Sequence, residues 1–131
     1  PQALMMIDLD LFKAVNDTHG HSVGDVVLQD FAALVQANIR TADIVGRWGG
    51  EEFIVMMPGR TVDSAAEAAE RLRAAVEQTT LADKLRITVS IGVAALQTDD
   101  TIDTWIQRAD QALYAAKAAG RNRVSIASVG S

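Results

Sequence analysis

The chain has 131 residues, a length typical of one domain with a single hydrophobic core. Its composition, 49% hydrophobic and 22% charged, excludes general intrinsic disorder, and the absence of cysteine excludes a disulfide framework, a thiolate zinc site and a cysteine nucleophile. A formal net charge of -5 disfavours a polymeric nucleic acid as partner, because such binding needs basic residues that neutralise phosphates.

The hydrophobic pattern predicts strands and helices in the order β-α-β-β-α-β-α-β. In chain order these are a strand over 3–9, a helix from 22 to about 40, strands over 43–48 and 52–57, a helix beginning near 64, a strand over 85–96, a helix from about 100 to 119 and a strand over 124–127. The stretch 13–22 is rich in turn residues. This order predicts an α+β fold of the ferredoxin-like class, a mostly antiparallel central sheet flanked by helices.

A few residues mark the ends and turns of these elements. Ser22 can cap the first helix, and Ser64 can open the second within a capping box. The pair Gly49-Gly50 between two strands predicts a tight hairpin turn with positive φ. Gly92 inside a strand predicts a bulge or a close approach of another backbone.

Four carboxylates lie at ends of predicted strands. Asp8 and Asp10 lie at the end of the first strand, and Glu51 and Glu52 follow the hairpin turn. If these strands pair, the acids converge and repel one another unless a divalent cation lies between them. Hard oxygen ligands favour magnesium or manganese over zinc. The same pattern is also compatible with solvated acids beside a turn.

Three separated motifs resemble one known family. They are Asp8-x-Asp10-x-Phe12-Lys13-x-x-Asn16-Asp17-x-x-Gly20-His21-x-x-Gly24-Asp25, then Arg47-x-Gly49-Gly50-Glu51-Glu52-Phe53, and finally Ala109-Asp110-x-Ala112-Leu113-Tyr114-x-Ala116-Lys117-x-x-Gly120-Arg121-Asn122. In this order they resemble the GGDEF domain of bacterial diguanylate cyclases, in its GGEEF form, over essentially the whole chain. The resemblance implies a palm or nucleotide-cyclase type of sheet.

The resemblance implies condensation of two GTP molecules into cyclic di-GMP with release of two pyrophosphates. Each subunit of a homodimer would hold one GTP, and each ribose 3′-oxygen would attack the α-phosphate of the other. Magnesium or manganese ions, two per active site, would be held by Asp8, the backbone carbonyl of Leu9 and Glu51. Glu51 would also act as general base. Lys13 would stabilise charge on the phosphoryl group, and Glu52 would help to position substrate and metal.

The resemblance also assigns a set of substrate-binding residues. These are Leu11, Phe12, Lys13, Asn16, His21, Asp25, Lys117 and Arg121. Asn16 and Asp25 would read guanine, since an amide and a carboxylate match its acceptors and donors. The two lysines and Arg121 would contact phosphate, together with backbone N–H groups of Leu11 and Phe12. Taken singly, Asn16 also fits a turn, Asp25 a helix start and Lys117 a plain surface charge, and His21 contacts substrate or only orders its loop.

A second site is implied just before the hairpin. Arg40 and Asp43 match the family's RxxD motif for product inhibition by cyclic di-GMP, and Arg71 matches its supporting arginine. An ion pair between residues three apart at a helix end is the alternative reading of Arg40 and Asp43.

The resemblance implies a single catalytic domain over 1–131, without the helix that usually precedes the first strand and without a sensory domain. It implies a cytoplasmic location, alone or as the cytoplasmic end of a longer sensor protein. GTP, cyclic di-GMP and a second copy of the chain would be the partners, with no membrane contact, since the apolar runs are far shorter than about 20 residues. The alternatives are an idle GGDEF module that binds GTP or cyclic di-GMP as a receptor, and another palm-like nucleotidyl transferase or nucleotide cyclase.

Overall fold

The computed structural model describes residues 1–128, and its elements lie within them. In chain order they are β1 (Gln2–Leu9), α1 (Phe12–His19), α2 (His21–Ala37), β2 (Ile44–Arg47), β3 (Glu52–Pro58), α3 (Val62–Gln78), β4 (Val89–Ala95), α4 (Ile102–Ala118) and β5 (Val124–Ile126). The order agrees with the prediction except for the additional helix α1. No helix among residues 1–128 is long and apolar enough to cross a membrane.

The strands form one sheet in the order β2-β3-β1-β4-β5. β1 lies in the centre and is antiparallel to both β3 and β4, whereas β5 is parallel to β4. Residues 3–9 of β1 are all buried, as expected for a strand covered on both faces. The predicted α+β class with a mostly antiparallel sheet is therefore confirmed.

Alternate residues of β1 face two different helical layers. Met5 belongs to the larger core, which includes Phe31 and lies between the sheet and helices α2 and α3. Met6 belongs to a smaller core with Trp105 of α4 on the opposite face. Because side chains alternate along a strand, Asp8 lies on the same face as Met6, toward α4.

The helix α1 is the main departure from the expected elements, because it occupies the stretch that looked rich in turns. Phe12, its first residue, is buried in the larger core. Gly20 ends the helix, and its N–H donates to the carbonyl of Asn16 at 2.8 Å. Packing of Phe12 against the core therefore outweighs the low helix propensity of the residues that follow it.

Both predicted helix caps are wrong. α2 begins directly after Gly20 without any side-chain cap, so Ser22 lies inside the helix. α3 is capped by Thr61, whose side chain accepts a hydrogen bond from the Ser64 N–H at 3.2 Å. Ser64 thus occupies the third position of the helix rather than the cap, and it still contributes a donor there.

The hairpin between β2 and β3 is confirmed, but its turn differs from the prediction. Gly49 and Gly50 do not have positive φ. The turn is closed by N–H groups of Trp48 and Gly49, which donate to the carbonyl of Glu52 at 2.8 and 3.2 Å. The Arg47 side chain donates to the carbonyls of Gly49 and Gly50 at 3.2 and 2.5 Å, so a side chain stabilises this turn.

Gly92 marks the close approach that its place in a strand predicts. A Cβ there would lie 2.9 Å from the Leu113 Cα and nearer still to the carbonyl oxygen of Ala109 and the nitrogen of Leu113, all in the backbone of α4. Only glycine lets α4 pack this closely on the centre of the sheet. Residues 85–88, which were expected to belong to this strand, precede it.

Candidate active site

Three carboxylates converge at one end of the sheet. Asp8 and Glu52 are paired across β1 and β3, and the Leu9 N–H donates to the carbonyl of Glu51 at 3.3 Å. The antiparallel register thus brings the end of β1 beside the start of β3. The condition for the acids to converge, that their strands pair, is therefore met.

Burial and neighbouring charges raise the pKa values of these three carboxylates. Asp8 is 4% exposed, and burial raises its pKa although the Lys117 ammonium, which pairs with its Oδ2, acts in the opposite direction. Burial and the charge of Asp8 also raise the pKa of Glu51 and of Glu52. Carboxylates that lie close together and away from water raise one another's pKa in this way. Groups with such perturbed pKa values are typical of functional sites.

These residues fit a divalent cation. The Oδ1 of Asp8 is buried and has no hydrogen-bond partner among residues 1–128. Such an unsatisfied carboxylate oxygen is costly unless a cation or donor meets it. In the same part of the chain, no group of three or more His, Cys, Asp or Glu side chains is arranged to hold a metal ion. The fit thus rests on this one oxygen of Asp8, which lies beside Glu51 and Glu52, because carboxylate oxygens are the ligands that Mg²⁺ and Mn²⁺ prefer.

Asp10 behaves differently from Asp8, although it stands only two residues further on. Its carboxylate accepts hydrogen bonds from the hydroxyls of Thr88 and Ser90, each at 2.6 Å, and from the Asn122 N–H at 3.0 Å. Three donors saturate much of its accepting capacity. The two aspartates that the sequence pattern groups together therefore differ in their hydrogen bonding: both oxygens of Asp10 accept hydrogen bonds, whereas Oδ1 of Asp8 has no partner among residues 1–128.

The turn from β1 into α1 provides backbone donors. Leu11 precedes the helix in the left-handed region, with φ of 58°, and its side chain points into solvent at 63% exposed. Phe12 is buried and Lys13 is exposed in the first helical turn. The first N–H groups of a helix lack intrahelical partners and attract anions. The segment Leu11-Phe12-Lys13 thus follows directly after the aspartates at the end of β1.

Helices α1 and α2 bring Asn16 and Asp25 to the same region. The side chain of Asn16 lies against Gly24, where a Cβ would be 3.1 Å from its Cγ and closer to its Oδ1. Asp25 is the next residue and lines a cavity of about 380 Å³ together with Arg47 and Phe53. A glycine at position 24 is thus what allows the Asn16 side chain to lie against the backbone of α2.

Arg47 is a site residue to which sequence reasoning assigned no role. It lines this cavity and holds the Gly49-Gly50 turn. Its position two residues before Gly49 was the available signal. His21, by contrast, is exposed at the start of α2 and has no hydrogen bond from its side chain within residues 1–128.

The end of α4 contributes the other basic groups. Lys117 reaches Asp8, as described above, so in the free chain it neutralises a carboxylate. Arg121 follows the helix, is exposed, and its guanidinium has no hydrogen-bond partner in the described part of the chain. Two of the three side chains expected to bind phosphate therefore lie at the end of α4: Lys117 is paired with a carboxylate, and Arg121 is exposed to solvent.

Arg40 and Asp43 form a compact pair away from the carboxylate edge. The Arg40 guanidinium lies 2.8 Å from Asp43 Oδ1, and the Arg40 N–H donates to Asp43 Oδ2 at 2.9 Å. Burial tends to raise the pKa of Asp43, but the hydrogen bonds and charge of Arg40 outweigh it and lower that pKa. Arg71 is exposed on α3 and makes no ion pair with Asp43 within 1–128. Arg40 lies beyond the end of α2, so the pair closes a loop rather than a helix.

This architecture defines an α+β palm-like domain with a carboxylate cluster at one sheet edge. Residues 1–123 match the family "Diguanylate cyclase, GGDEF domain". The chain belongs to the GGDEF family.

Individual relatives agree with this assignment. The chain is 42% identical over 128 residues to diguanylate cyclase A of Treponema denticola, covering 95% of this chain and 34% of that protein. It is similar to the solved active GGEEF domain of a diguanylate cyclase from Vibrio cholerae, with a TM-score of 0.92 and 37% identity over 98% of this chain and 84% of that one. It is also similar to the GGDEF domain of DgcB from Caulobacter crescentus in complex with c-di-GMP, with a TM-score of 0.89 and 33% identity over 95% of this chain and 77% of that one. The chain spans about a third of the length of the curated relatives it matches.

Proposed function

We propose that this domain is a diguanylate cyclase that condenses two GTP molecules into cyclic di-GMP. The observation that carries the proposal is the convergence of Asp8, Glu51 and Glu52 at one sheet edge, with a buried oxygen of Asp8 left without a hydrogen-bond partner in residues 1–128. Phosphoryl transfer needs charge neutralisation at such a point and a base that activates the attacking hydroxyl. The family membership and the named cyclases among the relatives support the same reaction.

Divalent cations would be held by Asp8, the carbonyl of Leu9 and Glu51, with two magnesium or manganese ions in each active site. When bound, these ions would neutralise phosphate charge and lower the pKa of the attacking 3′-hydroxyl. Without these ions, the negative charges of Asp8 and Glu51 would repel the triphosphate. Lys117, which pairs with Asp8 in the free chain, would then be released toward phosphate.

The proton of each attacking 3′-hydroxyl goes to Glu51, the proposed base. Its pKa is raised by burial and by Asp8, which moves a carboxylate toward the pH at which it accepts protons effectively. Each 3′-oxygen forms a bond to the α-phosphorus of the other GTP as the bond to pyrophosphate breaks. Two copies of the chain must therefore face each other, and the catalytic species is a homodimer. Lys13 stabilises the charge that develops, and Glu52 helps to position the substrate.

Recognition of GTP is divided between two helices and the end of a third. Asn16 and Asp25 read the guanine edge beside the cavity that Asp25 lines. N–H groups of Leu11 and Phe12 at the start of α1 bind phosphate.

The remaining substrate contacts come from side chains near this edge. Lys117 and Arg121 bind the triphosphate, and His21, exposed at the start of α2, contacts the substrate. Arg40, Asp43 and Arg71 form the site for inhibition by cyclic di-GMP. The ion pair that Arg40 already forms with Asp43 supports this assignment. The similar GGDEF domain of DgcB, solved in complex with c-di-GMP, supports binding of that nucleotide.

Incubation of the chain with GTP and Mg²⁺, followed by mass analysis of the products, tests the proposal. The expected products are cyclic di-GMP and two equivalents of pyrophosphate, at a rate that rises more steeply than linearly with protein concentration. Tight GTP or cyclic di-GMP binding without any product would contradict it and favour a receptor module. A product other than cyclic di-GMP would indicate a different nucleotidyl transferase.

A further inference from the structure

The loop after α4 is more strained than helix termination requires. α4 ends with a Schellman motif: the Arg121 N–H donates to the Ala116 carbonyl at 3.0 Å and the Gly120 N–H to the Lys117 carbonyl at 3.2 Å. That motif needs one left-handed residue, and Gly120 provides it with φ of 131°. Arg121 and Asn122 follow with φ of 65° and 48°. Two consecutive non-glycine residues in this region persist only where the surroundings hold them.

Asp10 holds this loop from the side of the sheet. Its Oδ2 accepts the Asn122 N–H at 3.0 Å and the Thr88 hydroxyl at 2.6 Å, and its Oδ1 accepts the Ser90 hydroxyl at 2.6 Å. Asp10 is 7% exposed, so these charge-assisted hydrogen bonds are protected from water. The hydroxyls of Thr88 and Ser90 hold the carboxylate in an orientation in which Oδ2 also accepts the Asn122 N–H of the loop.

The Asn122 side chain holds the same loop from the side of α3. Its Oδ1 accepts from Arg73 Nη1 at 2.8 Å, and its Nδ2 donates to Glu77 Oε2 at 2.5 Å. Arg73 and Glu77 are themselves paired at 3.3 Å on one face of α3. The loop is therefore fastened at Asn122 from two sides, by Asp10 directly after β1 and by Arg73 and Glu77 of α3. The adjacent residue, Arg121, keeps its guanidinium in solvent.

We propose that Asp10 and Asn122 form a clamp that positions Arg121 for the triphosphate of GTP. In this proposal, which rests on the proposed function, Asp10 is a positioning residue and not a metal ligand. The strained backbone is retained because it presents Arg121 at the edge where the triphosphate is bound. A clamp that served stability alone would not affect triphosphate binding selectively.

Two variants weaken the clamp in different ways. Asp10→Asn keeps the size of the side chain and removes its charge. Asn122→Gly permits the same left-handed backbone and removes the links to Arg73 and Glu77. Should Asp10→Asn fail to fold, Asn122→Gly tests the proposal by itself.

Asp30→Asn is the matched control. Asp30 also accepts a backbone N–H, that of Ala82 at 2.8 Å, in a loop where Ala82 and Asp83 are both left-handed. It therefore reports the effect of weakening a similar anchor at another loop.

The experiment is calorimetric titration of each variant, with Mg²⁺, by an α,β-methylene analogue of GTP that cannot release pyrophosphate, and by GMP. We expect Asp10→Asn and Asn122→Gly to weaken analogue binding about tenfold and to change GMP binding by less than about twofold. In an Arg121→Ala background the same changes should cost less than about twofold further, because coupled residues are not additive. Asp30→Asn should leave both affinities within about twofold of wild type.

Three outcomes would overturn the clamp. These are equal weakening of analogue and GMP, a full tenfold loss that persists with Arg121→Ala, and a loss of the same size in Asp30→Asn. Failure of the proposed function is distinguishable, because a wild-type chain that binds the analogue but forms no cyclic di-GMP from GTP would overturn the cyclase and leave the clamp testable by the same titrations. A wild-type chain that binds neither the analogue nor GMP would overturn both proposals.

Discussion

Gly92→Ala should reduce both the stability of the fold and the cyclase activity, because the added Cβ displaces α4. The new Cβ would lie 2.9 Å from the Leu113 Cα, whereas ordinary contacts begin near 3.4 Å, and the carbonyl of Ala109 would be closer still. Backbone atoms of a packed helix cannot turn aside as a side chain can, so α4 must move by about 1 Å. We expect a loss of about 3 kcal/mol in the free energy of unfolding, which corresponds to about 10 °C in Tm.

The displacement also reaches the active site. Lys117 lies one turn beyond Leu113 on α4 and pairs with Asp8. A shift of about 1 Å in a positioning group can reduce turnover about 100-fold, so cyclase activity should fall more than the folded fraction does. Urea unfolding followed by fluorescence measures the first effect, since Trp105 is buried at 3% exposure and hydrogen-bonded to the Ala94 carbonyl.

Gly46→Ala provides the matched control for this change. Gly46 is also a strand glycine, but its Cβ would meet only the Ile54 Cγ2, at an ordinary 3.8 Å. Its stability should change by less than about 0.5 kcal/mol. Equal stability of Gly92→Ala and Gly46→Ala would refute the argument that close packing of α4 requires glycine.

Further predictions concern charge, metal and inhibition. Asp43 has a lowered pKa, so it stabilises the fold above about pH 4 and loses that effect as the pH falls. Asp43→Asn should therefore cost about 1–2 kcal/mol in urea unfolding at pH 7, and the cost should fall as the pH is lowered below about 4; a cost independent of pH would contradict the assignment. Mg²⁺ at about 100 times its Kd should stabilise the wild-type fold by about 2.7 kcal/mol. Asp8→Asn should remove most of this gain in thermal unfolding, whereas an undiminished gain would exclude Asp8 as a ligand. Arg40→Ala should leave initial GTP turnover within about twofold and abolish inhibition by added cyclic di-GMP; inhibition that persists would exclude Arg40 from that site.

Features that depend on local chemistry were predictable from the sequence. The apolar run of β1 forms a central strand, and Gly92 is where another backbone comes close. In both cases the signal lies within a few residues of the feature that it predicts. The approach of Asp8 to Glu51 and Glu52 was expected only if their strands pair, and the structure supplies that pairing.

Features that depend on distant partners could not be predicted in the same way. α1 forms because Phe12 enters a core built by residues far along the chain. The donors to Asp10 stand 78, 80 and 112 residues away, so nothing near Asp10 distinguishes it from Asp8. The Gly49-Gly50 turn is held by a side chain rather than by positive φ, which a glycine pair alone does not reveal. Tertiary packing and long-range hydrogen bonds therefore decide what local propensity leaves open.

Turnover and nucleotide binding by Glu51→Gln, measured beside the wild type, test the central claim most directly. Glu51→Gln keeps the shape of the side chain and removes its capacity to accept a proton and to hold a cation. With GTP and Mg²⁺, wild-type chain should form cyclic di-GMP, and the variant should form none while still binding GTP through its guanine contacts. Glu67→Gln, an exposed glutamate on α3, should retain wild-type turnover. Cyclic di-GMP formed by Glu51→Gln at the wild-type rate would contradict the account.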